Sequence, residues 1–446
     1  MNQLSRKEIW AIGLMMFALF LGAGNMIFPP MMGLQAGNDV WTAVIGFLIT
    51  GVGLPLMGVA AVALAGGGLQ DLASRVDKTF GVIFTVAAFL AIGPLLAIPR
   101  TSAVAYEIGV VSFLPDSFQS SSMIFIFSFT FFALTYWLAL NPSKLVDRFG
   151  KFMTPVLLTV ITILFIKGVS SPLASVGESQ FTNPLSRGFL DGYNTMDAIA
   201  SLIFGLLVIA RIRERGVTDK RAITKLTIKA GVIAAAGLSF FYVGLAYLGS
   251  TSGQALGPVE NGGQLLAGIS QQLLGTFGLG LLSVAIFFAT LTTSVGLVSS
   301  TGEYFTDLFK KKIPYPVMIG IITAFSFVIA NTGLTTILKI SVPILVAIYP
   351  VAIVIILLTL AQNLFGAHTI IYKGGVIGAG IISLMDGVKA AGFNLSAIDN
   401  VLSQIPLMGI LMGQGLGWII PSAIGIICGA IIMKISHRKP VMMPDS

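Results

Sequence analysis

The chain is 446 residues long, 55% hydrophobic and only 10% charged, with mean hydropathy +0.94 and a formal net charge of +8. A soluble chain is roughly a quarter charged, so this one lacks the polar surface to stay in water, and lipid is its solvent over most of its length. Only α-helices and closed barrels satisfy their backbone in lipid; apolar runs such as 123–140 and 231–248 are helix length and about twice barrel-strand length.

In chain order, Arg6-Lys7 precede an apolar stretch that begins at Ile9. The stretch runs on to about Met32 without a small-residue cleavage site, so it reads as a first membrane span and not a signal peptide. Ser5-x-x-Glu8 before it has the form of a helix capping box. A sliding hydropathy window predicts about twelve spans: 9–35, 41–66, 80–106, 122–141, 148–168, 189–210, 228–249, 276–301, 315–333, 335–361, 374–391 and 413–434. Lys and Arg accumulate on the cytoplasmic side of a membrane. With the N-terminus inside, the inside segments hold 21 of the 26 basic residues, among them Lys144, Arg148, Lys151, Arg438 and Lys439. Both termini are therefore expected in the cytoplasm. The net charge follows from the same dispersed loop residues, and no nucleic-acid partner is called for.

The first span carries Gly22-Ala-Gly24-Asn25 in mid-membrane. Gly weakens a helix there and an unpaired Asn is costly. Small residues at this spacing fit a close helix crossing, or an unwound segment between half-helices 9–21 and 26–34. We read the second. The outer half-helix then aims its free N–H groups at a substrate carboxylate, and the inner one ends in carbonyls that suit a cation or an ammonium group.

Thr195 and Asp197 put polarity into the sixth span, and Ser201 to Gly205 is the predicted break. The first and sixth spans correspond if the chain is two five-helix halves, and an odd count inverts the second half. Interrupted helices at corresponding positions of inverted halves point to a transporter binding site. The eighth span contributes Thr290, Thr292, Thr293 and Ser294. These hydroxyls equally fit bonding back to their own helix carbonyls or offering hard oxygens to a cation.

Gly22-Ala-Gly24-Asn25 with Phe28-Pro29, and Phe287-Phe-Ala289 with Thr292-Thr293-Ser294, resemble the LeuT-type five-plus-five inverted-repeat transporters of the APC superfamily. Phe20-Leu-Gly-Ala-Gly-Asn25-Met-Ile-Phe-Pro-Pro30, Ala97-Ile-Pro99-Arg100-Thr101, Gly192-Tyr-Asn-Thr-Met-Asp197-Ala and Ser299-Ser-Thr-Gly-Glu-Tyr304 span most of the chain. Together they resemble the bacterial branched-chain amino acid:cation symporters. That resemblance implies a single all-α transporter domain with inverted repeats at 1–168 (helices 1–5) and 189–361 (helices 6–10), and peripheral helices at 374–434. It implies uptake of leucine, isoleucine or valine across the bacterial plasma membrane, driven by Na⁺ through alternating access, with no cofactor beyond that coupling ion. By the same analogy, carbonyls of Ala18, Leu21 and Ala289 and hydroxyls of Thr292 and Thr293 hold Na⁺. Backbone around Gly22, Ala23, Gly24 and Asn25 takes the substrate carboxylate. Ser201, Ile203, Phe204 and Gly205 take its ammonium group and aliphatic side chain.

Ionisable groups within membrane spans are functional candidates. Arg100, after Pro99, is expected to orient the bundle or guard the pathway, paired with Asp197; Asp197 is alternatively a proton carrier, which would make the coupling ion H⁺. Lys339 and Lys389 are expected to snorkel from helix ends, with Asp386 and Lys389 paired on one helix face. An integral membrane enzyme is disfavoured. The sequence has no H-E-x-x-H and no Walker A motif, one cysteine (Cys428), and two histidines, His368 and His437, in predicted loops or tails. No filter-like repeat of a channel occurs either.

Overall fold

The computed structural model describes residues 4–115, 120–141 and 145–436, with side chains left out between 145 and 154. Lys144, His437, Arg438 and Lys439 lie outside the described residues, as do the side chains of Arg148 and Lys151. Every predicted span is occupied by helix, and among the described residues no strand occurs. Span 1 comprises α1 (Arg6–Phe20) and α2 (Ala23–Ala36); span 2 comprises α3 (Val40–Leu48) and α4 (Leu54–Ala65), joined by a π-helical turn at Ile49–Gly53. A short α5 (Leu69–Ala73) leads to span 3, α6 (Lys78–Leu90) and α7 (Ala97–Gly109). Then follow α8 (Ser121–Ala139), α9 (Leu145–Ser170), the sixth span α10 (Pro184–Asp191) with α11 (Asp197–Arg213), and α12 (Lys220–Ser250). After α13 (Gly253–Leu256) come α14 (Gly262–Leu308), α15 (Tyr315–Ala330), α16 (Leu334–Leu360), α17 (Gln362–Phe365) and α18 (Thr369–Ala390). The chain ends in α19 (Ser396–Ser403), α20 (Met408–Gly413) and α21 (Ile419–Ser436). The capping box is present: Ser5 Oγ accepts from the Glu8 amide at 3.3 Å, and Glu8 accepts from the Ser5 amide at 2.9 Å.

Packing sorts the spans into two groups. One is built by α1, α2 and α12 with the α3–α4 and α10–α11 spans; the other joins α7, α8, α14 and α15. Outside these groups, α18 sits against α16, and α21 packs on α18. Where helices cross most closely, a glycine removes the Cβ that would collide. Gly33 meets the Ala246 carbonyl and Gly249 the Pro30 carbonyl at the α2–α12 crossing. In lipid, such close backbone approach gains the dispersion contacts that hold helices together. Large apolar side chains face outward on most spans, for example Ile83 (63% exposed), Trp137 (62%) and Phe277 (83%). A water-soluble surface does not present them so continuously; a bilayer accommodates them. Lys389 pairs with Asp386 at 2.7 Å, as expected, and also with Asp399 at 2.9 Å. Lys339 is exposed near one end of α16.

Candidate functional site

The break in span 1 lies at Leu21-Gly22, between α1 and α2, as the Gly-rich motif predicts. The Gly22 amide, which would close the helical turn on Ala18, donates to the Phe20 carbonyl at 2.7 Å instead. The Ala18 carbonyl thereby loses its helical donor. Beyond the break, α2 starts at Ala23 with no side-chain cap. Its first amides have no intrahelical acceptor and form the positive end of the helix dipole.

The sixth span breaks elsewhere than its sequence suggests. Residues Gly192–Thr195 form a 3₁₀ turn, Met196 is left-handed (φ 66°), and α11 begins at Asp197. The two halves of this span bend by 45°. The expected break at Ser201 to Gly205 is regular helix. Ser201 Oγ donates to its own helix at the Ala198 carbonyl (2.6 Å) and packs where Gly58 lacks a Cβ. Gly205 makes room for the Val62 side chain. The small residues mark helix contacts, and the break lies upstream, where the carbonyls of Gly192, Tyr193, Asn194 and Met196 accept from Thr195 Oγ1, the Met196 amide, Arg100 and the Ala200 amide. Ile203 is half-buried, while Phe204 lines the site with its ring 6.2 Å from that of Phe20.

A third interruption, at Gly93-Pro94, was not read from the sequence, where 80–106 forms one span. Gly93 is non-helical (φ −97°, ψ −124°) and the turn around it is π-helical, because Pro94 cannot donate and crowds the preceding turn. The bend sets the angle of α7, which carries Arg100. Its Nη1 donates to the Asn194 carbonyl at 2.7 Å, in the span-6 break, and its guanidinium lies 5.2 Å from the Phe28 ring centre. The expected pairing with Asp197 is absent from the ion pairs of the described residues. Arg100 spans to a backbone carbonyl instead, since the span-6 break exposes one at that position.

Asp197 is 4% exposed and its Oδ2 collects two donors. Asn25 Nδ2 donates to it at 2.6 Å and the Tyr242 hydroxyl at 3.1 Å; Asn25 Nδ2 also bonds the Tyr242 oxygen. Spans 1, 6 and 7 are thus tied at one carboxylate. Tyr242 did not emerge from the sequence: it is one of two phenols, with Tyr247, in a mostly apolar span.

On α14, Thr292 and Thr293 both donate to the Ala289 carbonyl, at 2.9 and 3.0 Å. The hydroxyls therefore back-bond, and their lone pairs stay clustered with that carbonyl as a set of hard oxygens. Thr293 reaches the span-1 break, its methyl 3.7 Å from where a Gly22 Cβ would stand. A buried cavity of about 40 Å³ joins these parts. Gly22, Ala23, Asn25, Arg100, Asp197, Phe204 and Thr293 line it, with Ala97, Thr101 and Met196 from the quoted motifs and with Ile92 and Leu297, which the sequence had not singled out. Ala18, Leu21, Gly24, Ser201, Ile203, Gly205, Ala289 and Thr292 do not line it. Gly24 is the seat of the Arg100 guanidinium, whose Nη2 would lie 2.6 Å from a Cβ added there. Among the described residues, no group of His, Cys, Asp and Glu is arranged to hold a metal ion.

A family model described as "Branched-chain amino acid transport protein" matches residues 5–436. The branched-chain amino acid permease BraB of Bacillus subtilis is 48% identical over 435 residues, covering 97% of this chain and 96% of that protein. The branched-chain amino acid transport system 2 carrier protein of Pseudomonas aeruginosa is 42% identical over 98% of both chains. The Escherichia coli permease BrnQ is 36% identical, again over 98% of each. Among solved structures, the inward-facing conformation of Mhp1 superimposes with a TM-score of 0.59 at 12% identity, covering 96% of this chain and 90% of that one. A mutant manganese transporter of Eremococcus coleocola gives 0.57 at 13% identity over 96% and 95%. At such identities the likeness is one of fold, the LeuT type, with its interrupted first and sixth helices.

Proposed function

The chain belongs to the family of branched-chain amino acid transport proteins, and from that premise we propose that it imports leucine, isoleucine or valine coupled to Na⁺ by alternating access. It is a multi-pass membrane protein of transport, not an enzyme. The observation that carries the proposal is the meeting of both broken spans at one buried cavity. Residues at both breaks, Gly22 and Ala23 in span 1 and Thr195 and Met196 in span 6, line that cavity. The amides at the start of α2 suit a carboxylate; the Thr195 carbonyl and the Asp197 carboxylate suit an ammonium group; Phe20 and Phe204 supply apolar surface for a branched side chain.

The Na⁺ site of this reading comprises the carbonyls of Ala18, Leu21 and Ala289 with the hydroxyls of Thr292 and Thr293. Its donor set is all oxygen, as a hard cation requires. Oxygens from α1 and α14 belong to different helix groups, so an ion between them favours one relative position of the groups, and its release frees them. That differential affinity is what lets an ion gradient bias a conformational equilibrium. The cavity holds only a few waters at about 40 Å³, so an amino acid enters only when the groups move apart. The distribution of basic residues supports a plasma-membrane orientation with both termini cytoplasmic, and each helix group draws spans from both proposed inverted halves, 1–168 and 189–361.

A second reading couples uptake to H⁺ at Asp197. It is favoured by one observation: the carboxylate links spans 1, 6 and 7 through Asn25 and Tyr242, so its protonation would change that junction. Uptake of labelled isoleucine into proteoliposomes under a Na⁺ or an H⁺ gradient, in wild type and Thr293→Ala, separates the two. Uptake that requires Na⁺ and collapses in the variant supports the sodium reading; uptake driven by H⁺ alone and indifferent to the variant replaces it.

A further inference from the structure

Arg100 is 3% exposed, its Nε has no partner, and it makes no ion pair among the described residues. Asp197, 4% exposed, likewise lacks a cationic partner within ion-pair distance. Its two donors both fall on Oδ2. The neighbouring Thr195 hydroxyl, 2.9 Å from the Gly192 carbonyl, also lies within reach of the Asp197 carboxylate. A buried guanidinium and a buried carboxylate thus line one small cavity without a direct bond between them. The two groups attract one another across the cavity, but neither is met by a direct ion pair; burying a charge without one is unfavourable, and a ligand with two charged ends supplies one to each.

We propose that Arg100 and Asp197 are the side chains that recognise the two charged ends of the substrate, Arg100 its carboxylate and Asp197, through Oδ1, its ammonium group. This inference rests on the transport reading above and deepens it by naming the side chains that read the two ionised ends of that substrate. Two features fix the polarity. Arg100 lies against Gly24, so the guanidinium stands beside the amide-rich start of α2, where negative charge is favoured. Asp197 opens α11 at the span-6 break, where its carboxylate, beside the Thr195 carbonyl, is the group that attracts a cation. Asn25 and Tyr242 hold the carboxylate from the far side and are positioning residues: they fix Oδ2 and turn Oδ1 toward the ligand. Backbone at the breaks then sets distance, while the charged pair sets chemical class. The aliphatic side chain contributes little to that choice, because one methylene in an apolar pocket discriminates only about 10- to 200-fold.

The test is competition against labelled leucine, using purified full-length protein in lipid nanodiscs and two leucine analogues. One is 2-hydroxy-4-methylpentanoate, in which a hydroxyl replaces the ammonium group; the other is leucinamide, which lacks the carboxylate. A site with committed buried partners rejects an analogue lacking the matching group by about 10,000-fold. In Asp197→Asn the disadvantage of the hydroxy acid relative to leucine should shrink about 100-fold or more, with that of leucinamide nearly unchanged. Arg100→Gln should do the reverse. Because each ratio is taken within one variant, loss of folded protein cancels. If both ratios stay at their wild-type values while leucine affinity falls, the residues only support the structure and the proposal is overturned. Should Asp197→Asn bind none of the three ligands, the leucinamide ratio in Arg100→Gln decides: collapse supports the proposal and constancy overturns it. A wild type that binds no leucine sinks the transport reading itself, before any variant is compared.

Discussion

Asn25 at the start of α2 donates to the Asp197 carboxylate at 2.6 Å, across 172 residues of sequence. The bond joins the first turns of the two helices that follow the breaks in spans 1 and 6, so the two interruptions form one structural unit. Asn25→Ala removes that donor and leaves a buried carboxylate held by Tyr242 alone. Leaving a buried polar group short of a partner costs about 1–3 kcal/mol, more where charge is involved. We expect lower thermal stability in detergent and uptake reduced well beyond the loss of inserted protein. Asn25→Asp should be worse, because it sets two carboxylates against one another. Fluorescence-detected size exclusion on heating, alongside uptake per inserted molecule, measures both effects; wild-type behaviour of Asn25→Ala would remove the junction from the mechanism.

Two glycines in the same helix should fail in different ways. Gly33→Ala puts a Cβ into the Ala246 carbonyl, backbone against backbone, at the α2–α12 crossing. Overpacking of this kind typically costs about 1–3 kcal/mol and occasionally more, and it should appear as poor yield and a lower melting temperature. Gly24→Ala meets the tip of Arg100, 2.6 Å from Nη2 and 2.9 Å from Cζ. A side-chain tip can swing aside, so folding should survive while the guanidinium leaves its seat. The expected signature is a KM for leucine raised about tenfold, which is roughly 1.4 kcal/mol of binding, at near-normal yield. Equal loss of yield in both variants would contradict this division.

Thr293 offers a conservative comparison. Its hydroxyl lies 3.0 Å from the Ala289 carbonyl, and its methyl stands beside Gly22. Thr293→Ser keeps the oxygen and discards the methyl; Thr293→Val keeps the shape and discards the oxygen. On the sodium reading, the Na⁺ concentration for half-maximal uptake should rise steeply in Thr293→Val and shift only modestly in Thr293→Ser. If the two variants behave alike, packing against Gly22 is the role of this residue, and cation coordination belongs elsewhere.

The sequence carried the membrane architecture because lipid leaves so few options: hydropathy located the spans, and Gly22-Ala-Gly24-Asn25 located the first break. The second break was misplaced for a physical reason. A chain reversal is normally announced by glycine, yet here the left-handed residue is Met196 (φ 66°), a conformation that costs a non-glycine residue about 1–2 kcal/mol. Surrounding contacts enforce it: Met196 is 2% exposed, and Arg100 holds the adjacent Asn194 carbonyl. Conversely, the Ser201 and Gly205 signal was real but reported close packing against Gly58 and Val62. Local sequence does not distinguish a small residue that loosens a helix from one that lets a neighbour approach. The partnership of Asn25, Asp197 and Tyr242 was illegible too: the sequence pairs spans 1 and 6 at a binding site, but nothing in it adds span 7 or joins these three side chains.

The bend at Gly93-Pro94 gives the last prediction. Proline denies the helix an amide, and the π-helical turn around it redirects α7 so that Arg100 meets the Asn194 carbonyl at 2.7 Å. Pro94→Ala restores the amide and allows the helix to straighten. In an isolated helix that exchange is stabilising, by about 3 kcal/mol on propensity. Within this bundle the straightened helix would carry Arg100 away from the span-6 break. We therefore expect an opposed pair of effects: a melting temperature at or above that of wild type, with uptake strongly reduced. Double substitution with Gly93→Ala should deepen both, because it removes the remaining freedom at the bend. A variant that is both less stable and less active would mean that the proline serves packing alone, whereas one that is more stable and fully active would detach the bend from the placement of Arg100.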